Sequence, residues 1–497
     1  MSAAAAPTAA DPKLTNPDLA PVGPERRTWN WWHIASLWIG MAICIPTYTL
    51  ASSLVDRGWT WQAAVGSVVL GNFVVLIPMI LNSHAGTKYG IPFPVLARSA
   101  FGVLGANVPA MLRAIVACGW YGIQTWIGGF AIYKLLEVLT PGIASWPNIL
   151  PSWVGISTGE ALCFMCFWAI QVWIVMRGME SIKLLETWGS PFLLAVGAAL
   201  LIWAWVKVGG FGPMLANPST PPVPANSGAG SVFGAGLTSA VAFWGTMALS
   251  IPDFSRFAKT QRDQAIGQAV GLPGTMAAFA FIGAAVTNAS GVIFGTRIAD
   301  PIALLARVGG PAIVVLSMLG LSVATLTTNL AANVVAPAND FSNLAPHKIR
   351  FKTGAMITAV IGILMMPWRL YNDAAAYIFA WLIGYGALLG PIAGIMIVDY
   401  FVLRGRELDV DDLYRRGGQY EYTSGINWKA MIALAIGIAP NLPGFLVAIG
   451  VLSTASVASV WSVLYNWAWF VGLGLAAAVY YVLMAFGVRV VRTSTDV

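Results

Sequence analysis

The stretch GWYGIQTW, residues 119–126, sets one uncharged amide, Gln124, among the aromatic side chains Trp120, Tyr121 and Trp126 in an otherwise apolar run. On a helix, Trp120 and Gln124 lie four residues apart and share a face, so one ligand can meet both. The indole offers a flat apolar surface. The amide offers a donor and an acceptor, the complement of an amide or imide edge on a small ring such as a pyrimidine or hydantoin. A glutamine at this depth can equally bond a neighbouring helix, and the residues themselves leave both roles open. A second polar group is GLSVATLTTNLAANVVAPAN, residues 320–339, where Asn329 and Asn333 are four apart. There the carbonyl of Ala324 and the hydroxyls of Thr327 and Thr328 fall within about one turn. Uncharged oxygens of this kind suit sodium when a broken helix nearby adds carbonyls, although threonine also back-bonds to its own helix. Trp244 stands beside Gly245, where a helix break would turn an aromatic face toward a cavity.

Enzyme chemistry finds no support in these residues. Cys163 and Cys166 form a CxxC without a partner pair, Cys44 and Cys118 stand alone in apolar runs, and His33, His84 and His347 are scattered. There is no HExxH, no GxSxG and no pair of carboxylates in one segment. The expectation is a non-enzyme without a bound cofactor.

The elements that must position these side chains are membrane helices. Charged residues make up 9% of the 497-residue chain, against about 25% in soluble proteins, and the mean hydropathy is +0.74. Apolar runs of about 20 residues, long enough to cross the hydrocarbon core, recur twelve times. They lie near 32–55, 61–82, 105–138, 153–176, 182–207, 231–252, 266–295, 309–335, 354–370, 375–402, 428–451 and 458–486. Basic residues sort by side: 21 of the 27 fall in the tails and the loops after even-numbered runs, leaving Arg57, Lys134, Lys207, Arg297, Arg307 and Arg369 on the other side. This asymmetry places both termini in the cytoplasm of a multi-pass protein in the inner (plasma) membrane. It also accounts for the net charge of +7 without a nucleic-acid surface. Glu160, in the fourth run, is the nearest ionisable residue to the membrane interior, and it also reads as a helix-end carboxylate at the outer interface.

Twelve short-looped helices with 52 Gly and 29 Pro suggest a transporter with broken helices. Pro46 in the first run and Gly245 with Pro252 in the sixth are candidate interruptions, five segments apart. An odd offset reverses membrane direction, as an inverted repeat requires. The expected organisation is a cytosolic tail over 1–30, a ten-helix core over 31–403, a solvated loop over 404–427, two further helices over 428–486 and a tail over 487–497. The loop NPSTPPVPANSGAG, 217–230, should be an irregular connector.

Six stretches in order, IPTY, HAGTKYGIPFPVLARSAFG, GWYGIQTW, FWGTMALSIPDFSRFAK, TLTTNLAANVVAPAN and LLGPIAGIMIVDYF, resemble nucleobase–cation symporter family 1 over almost the full chain. The resemblance implies an all-α, leucine-transporter-like fold of twelve transmembrane helices, with a five-plus-five inverted repeat and broken helices 1 and 6. It implies cation-coupled uptake of a small heterocycle by alternating access; no obligate protein partner is evident in the sequence. It places substrate binding on Trp120, Gln124, Trp244 and Asn333, the two tryptophans stacking on the ring from opposite sides. It places sodium on backbone oxygens of Gly40 and Ile43 and on Ala324, Thr327 and Thr328. Cys44 departs from the glutamine of the hydantoin transporter, and the stretches around IPTY, SIPDF and AANVVAPAN are closer to the allantoin and plastid uracil and purine branch. Uracil or allantoin is therefore the expected substrate; the alternatives are hydantoin, purine or cytosine carried with protons, or an unrelated small solute.

Overall fold

The computed structural model describes residues 11–177, 179–216, 229–308, 310–371 and 376–485, though not every side chain within them. The tail 487–497 and residues 217–228 of the proline-rich loop lie outside that set, as does the side chain of Thr327.

Local signals start and stop the helices. Asn30 accepts the N–H groups of Trp32 and His33 at 3.1 and 3.2 Å, starting α1 (Trp31–Ala42); α2 (Ile45–Asp56) follows after a two-residue gap. Thr60 caps α3 (Trp61–Tyr89), which ends at Gly90 with φ +74°, a left-handed turn that suits glycine. Next come α4 (Phe93–Phe101), α5 (Asn107–Leu139), α6 (Thr158–Arg177), α7 (Met179–Val208) and the short α8 (Phe211–Met214). A three-part element, α9 (Ala229–Phe243), α10 (Gly245–Ser250) and α11 (Pro252–Ser255), precedes α12 (Gln261–Phe294) and α13 (Pro301–Val308). Then α14 (Pro311–Asn333), α15 (Val335–Leu344), α16 (Phe351–Leu364) and α17 (Pro367–Tyr371) lead to α18 (Ile383–Ile397), which π-helical turns extend at both ends. The chain closes with α19 (Trp428–Ile438), α20 (Leu442–Ala448), α21 (Ser459–Asn466) and α22 (Ala468–Ala485).

Among the described residues, eight helices are long and apolar enough to cross a membrane, nine if the bent pair α1 and α2 forms one span. Leu70, Phe73 and Ile77 form an exposed stripe on α3 at helical spacing, a lipid-facing surface. Inward, small residues let backbones meet. A Cβ at Gly271 or Gly283 of α12 would come 2.6 Å from the Ala35 carbonyl or 2.4 Å from that of Tyr48, so α1 and α2 rest directly on α12.

The first interruption falls at Ile43 and Cys44, not at Pro46, and bends the pair by 53°. Pro46 is the second residue of α2, where its missing N–H has no helical acceptor to lose. The sixth segment breaks at Trp244, one residue before Gly245.

Two segments expected to be solvated pack against the bundle. Leu14 and Leu19 are buried, Asn16 donates to Ser342 Oγ at 2.6 Å, and Tyr414 in the charged loop donates to the Leu19 carbonyl at 2.7 Å. Arg98 is wholly buried and donates to the carbonyls of Leu14 and Leu413 and to Asn343 Oδ1. Charge counting did not anticipate this layer, because aromatic rings and backbone carbonyls carry it.

Above that layer, Arg113 of α5 and Asp340 of α15 form a 3.0 Å ion pair with both side chains fully buried, and Arg113 also donates to Ser250 Oγ of α10 at 2.8 Å. Asp340→Leu should strand the guanidinium and cost about 3–5 kcal/mol, read as a lower thermal unfolding midpoint in detergent. The double change Arg113→Met with Asp340→Leu should recover most of that loss.

Candidate functional site

The two broken elements and α14 meet the expectations unequally. At the first break, Ile43 (φ −81°, ψ 84°) and Cys44 (φ −146°, ψ 161°) leave the helical range, and α1 packs against α14. Gly40 thus lies on one of two touching helices and Ile43 just past its end, with Ala324 and Thr328 buried on the other. The Thr328 hydroxyl donates to the Ala324 carbonyl at 3.1 Å, the back-bond anticipated for this helix. A donated proton still leaves the hydroxyl's lone pairs able to accept or to face a cation.

The aromatic part is larger than the sequence indicated. Trp120 and Trp244 do not stand as two bare walls: Phe243 lies 5.1 Å from each, edge-on to both. Trp38 closes edge-on to Trp244 at 5.1 Å. Around Trp120 are Tyr377, Trp381 and Tyr385, whose rings are 6.2, 6.1 and 6.4 Å away, and Trp120 Nε1 donates to Tyr385 Oη at 3.2 Å. These three recur every fourth residue in YIFAWLIGY, a one-face signal that sequence reading passed over.

Several buried groups in this region have unanswered hydrogen-bonding capacity, Trp38 Nε1 and Trp381 Nε1 among them. Gln124 Oε1 and Trp244 Nε1 have no partner in the protein, and a buried polar atom without one costs about 1–3 kcal/mol. Asn333 is buried too, and its Nδ2 donates to Asn329 Oδ1 at 2.9 Å.

A cavity of about 390 Å³ opens on the far side of Tyr377, walled by Trp126, Phe130 and Tyr371 and bearing the carboxylates Asp56, Glu160 and Asp300. Glu160 acts as a helix-end group: its Oε2 accepts from the Ser157 N–H at 2.7 Å, and its own N–H donates to Ser157 Oγ at 3.2 Å. Burial pushes the Asp300 carboxyl above its ordinary value, opposed by the N–H groups of Ile302 and Ala303. The most enclosed carboxylates are elsewhere, at Asp253, Asp340 and Asp399 toward the layer of residues 11–30. Among the described residues no group of His, Cys, Asp and Glu is arranged to hold a metal ion.

A family described as permease for cytosine/purines, uracil, thiamine and allantoin matches residues 21–472. The chain belongs to nucleobase–cation symporter family 1. It is a membrane transporter and not an enzyme. It is similar to a purine-uracil permease of Arabidopsis thaliana, 48% identical over 96% of this chain and 78% of that one. It is also similar to an allantoin permease of Bacillus subtilis, 41% identical over 95% and 93%. Among solved structures it resembles Mhp1, a nucleobase-cation-symport-1 family transporter in a closed conformation with bromovinylhydantoin bound (TM-score 0.75, 27% identity, 95% and 96% coverage).

The bond from Trp120 Nε1 to Tyr385 Oη fixes the orientation of the Trp120 indole. Tyr385→Phe keeps the ring and deletes the acceptor, about 1 kcal/mol. Ligand affinity, measured by quenching of tryptophan fluorescence, should fall about fivefold.

Proposed function

We propose that this permease takes up a nucleobase-related heterocycle such as uracil or allantoin together with sodium, by alternating access across the plasma membrane. The observation that carries the reading is the pairing of an unanswered buried acceptor, Gln124 Oε1, with aromatic walls at Trp120, Phe243 and Trp244. Flat rings that bear N–H groups answer both features at once. The names of the relatives, purine-uracil permease and allantoin permease, point the same way. In this reading Trp120, Gln124, Trp244 and Asn333 bind the ring. The ion is held by the carbonyls of Gly40, Ile43 and Ala324 with Thr327 and Thr328. Twelve spans form a five-plus-five inverted repeat over 31–403 followed by two further helices, and both termini face the cytoplasm. Sodium is favoured over a proton because these positions hold neutral oxygens, whereas a proton site keeps an ionisable group.

Radiolabelled uptake in cells lacking their own carriers, competed with uracil, allantoin, hydantoins, purines and cytosine, tests the substrate class; no competition by any of them defeats it. Gln124→Ala should weaken binding roughly tenfold, since an unpaired polar partner costs about 1–3 kcal/mol. Normal affinity in correctly inserted protein would return Gln124 to a packing role.

Replacing sodium by choline at fixed pH should lower substrate affinity, and Thr328→Ala should abolish that difference. Linkage requires substrate to tighten sodium binding by the same factor. Uptake indifferent to sodium and abolished by a protonophore would assign the coupling to protons.

A further inference from the structure

A side-chain amide presents oxygen on one side and nitrogen on the other, nearly alike in shape, so its neighbours decide which faces a ligand. A backbone carbonyl cannot be turned round, and one such carbonyl, that of Tyr121 on α5, anchors a chain of amides leading toward Asn333. It accepts from Thr125 Oγ1 at 2.6 Å and from Asn329 Nδ2 at 3.0 Å. The group of Asn329 at that end must therefore be the NH2, because an oxygen there would face an oxygen. The same nitrogen lies 2.7 Å from Gln171 Oε1 and 3.2 Å from Thr125 Oγ1. With its proton on the Tyr121 carbonyl, the Thr125 hydroxyl accepts from Gln171 Nε2 at 3.0 Å, which holds the Gln171 amide in the matching sense.

Every member of this knot, Thr125 on α5, Gln171 on α6 and Asn329 on α14, is fully buried. No water competes for these bonds, and reversing one amide alone would set like atoms against each other. Asn329 therefore turns its Oδ1 toward Asn333, which answers with Nδ2 at 2.9 Å. What Asn333 has left is its Oδ1, which receives no donor among the described residues. Gln124 Oε1, one turn beyond Tyr121 on α5, is likewise an acceptor without a partner.

We infer that Gln171, Thr125 and Asn329 are specificity-determining positioning residues that lock Asn333 as a hydrogen-bond acceptor, so that a transported heterocycle must bring an N–H donor to it. The inference rests on the substrate site proposed above. With Gln124 Oε1 it defines an acceptor pair suited to rings or ureides with two N–H groups. It disfavours analogues in which the N–H facing Asn333 is methylated or replaced by a bare ring nitrogen.

The test compares, in the full-length protein, competition by uracil and allantoin with that by their N-monomethyl derivatives. Wild type should prefer the parent over at least one monomethyl derivative by tenfold or more. Asn329→Leu keeps the branched side-chain shape but frees the Asn333 amide to rotate, and should shrink that preference below about threefold. Gln171→Leu strips one of the acceptors around Asn329 Nδ2 and should shrink it partway. It supplies the same readout should Asn329→Leu fail to reach the membrane. A purely structural role would change the amount of active protein and leave the ratio of affinities alone. An unchanged ratio in the variants, or a wild type that binds the monomethyl derivatives as well as the parents, overturns the lock and leaves the substrate class standing. A wild type that binds neither uracil nor allantoin defeats the substrate reading, and the lock with it.

Discussion

A backbone amide or carbonyl facing hydrocarbon has no partner except another part of the same protein, and each unanswered group costs several kcal/mol. A helix broken inside a membrane is tolerable only where protein or a ligand covers the break. The chain breaks α1 from α2 at Ile43 and Cys44, and α9 from α10 at Trp244. On either side of the first, α12 approaches α1 and α2 so closely through Gly271 and Gly283 that a Cβ there would collide with the Ala35 or Tyr48 carbonyl. At the second, the rings of Trp38, Phe243 and Trp120 pack around the buried turn at Trp244.

Polar side chains follow the same rule with different solutions on different helices. Arg113 and Asp340 neutralise each other while fully buried, and Ser250 ties α10 to that pair. Asp399 accepts from Ser99, Tyr480 and Arg404, each at 2.8 Å, and thereby joins α4, α22 and the chain after α18. Thr125, Gln171 and Asn329 satisfy one another without any charge. Arg113 Nε and Asp340 Oδ1 stay unanswered beside their ion pair, and in the aromatic region Gln124 Oε1, Trp244 Nε1, Trp38 Nε1 and Trp381 Nε1 are unanswered as well.

The layer formed by residues 11–30 and the loop around Tyr414 links the ends of several helices. Arg256 donates to the Asp18 carbonyl at 3.0 Å, and the Phe351 N–H donates to Asp18 Oδ2 at 3.3 Å. The Val22 N–H donates to the Gly90 carbonyl at 2.8 Å. Any movement of α11 relative to α15 or α16 must strain these bonds, so the segment is mechanically part of the transporter and not a free tail.

What the sequence determined is everything that follows from local pattern. Long apolar runs and sparse charge declare the membrane, because length and hydropathy are sums over neighbours along the chain. The spacing of Trp120 and Gln124 placed them on one face because a helix repeats every 3.6 residues. Proline misled by three residues at the first break, since its steric demand marks either a helix interior or a helix start, and only the backbone angles tell which. Tertiary structure decided the rest. Phe243 between the two tryptophans, the Tyr377, Trp381 and Tyr385 face against Trp120, and Gln171 bonded to Asn329 across 158 residues all depend on which helix lies beside which. The order of oxygen and nitrogen at Asn333 is set by a carbonyl on another helix, through a chain of bonds that no spacing within α14 encodes. A one-dimensional pattern specifies which face of a helix is polar; the neighbour that answers that face exists only after packing.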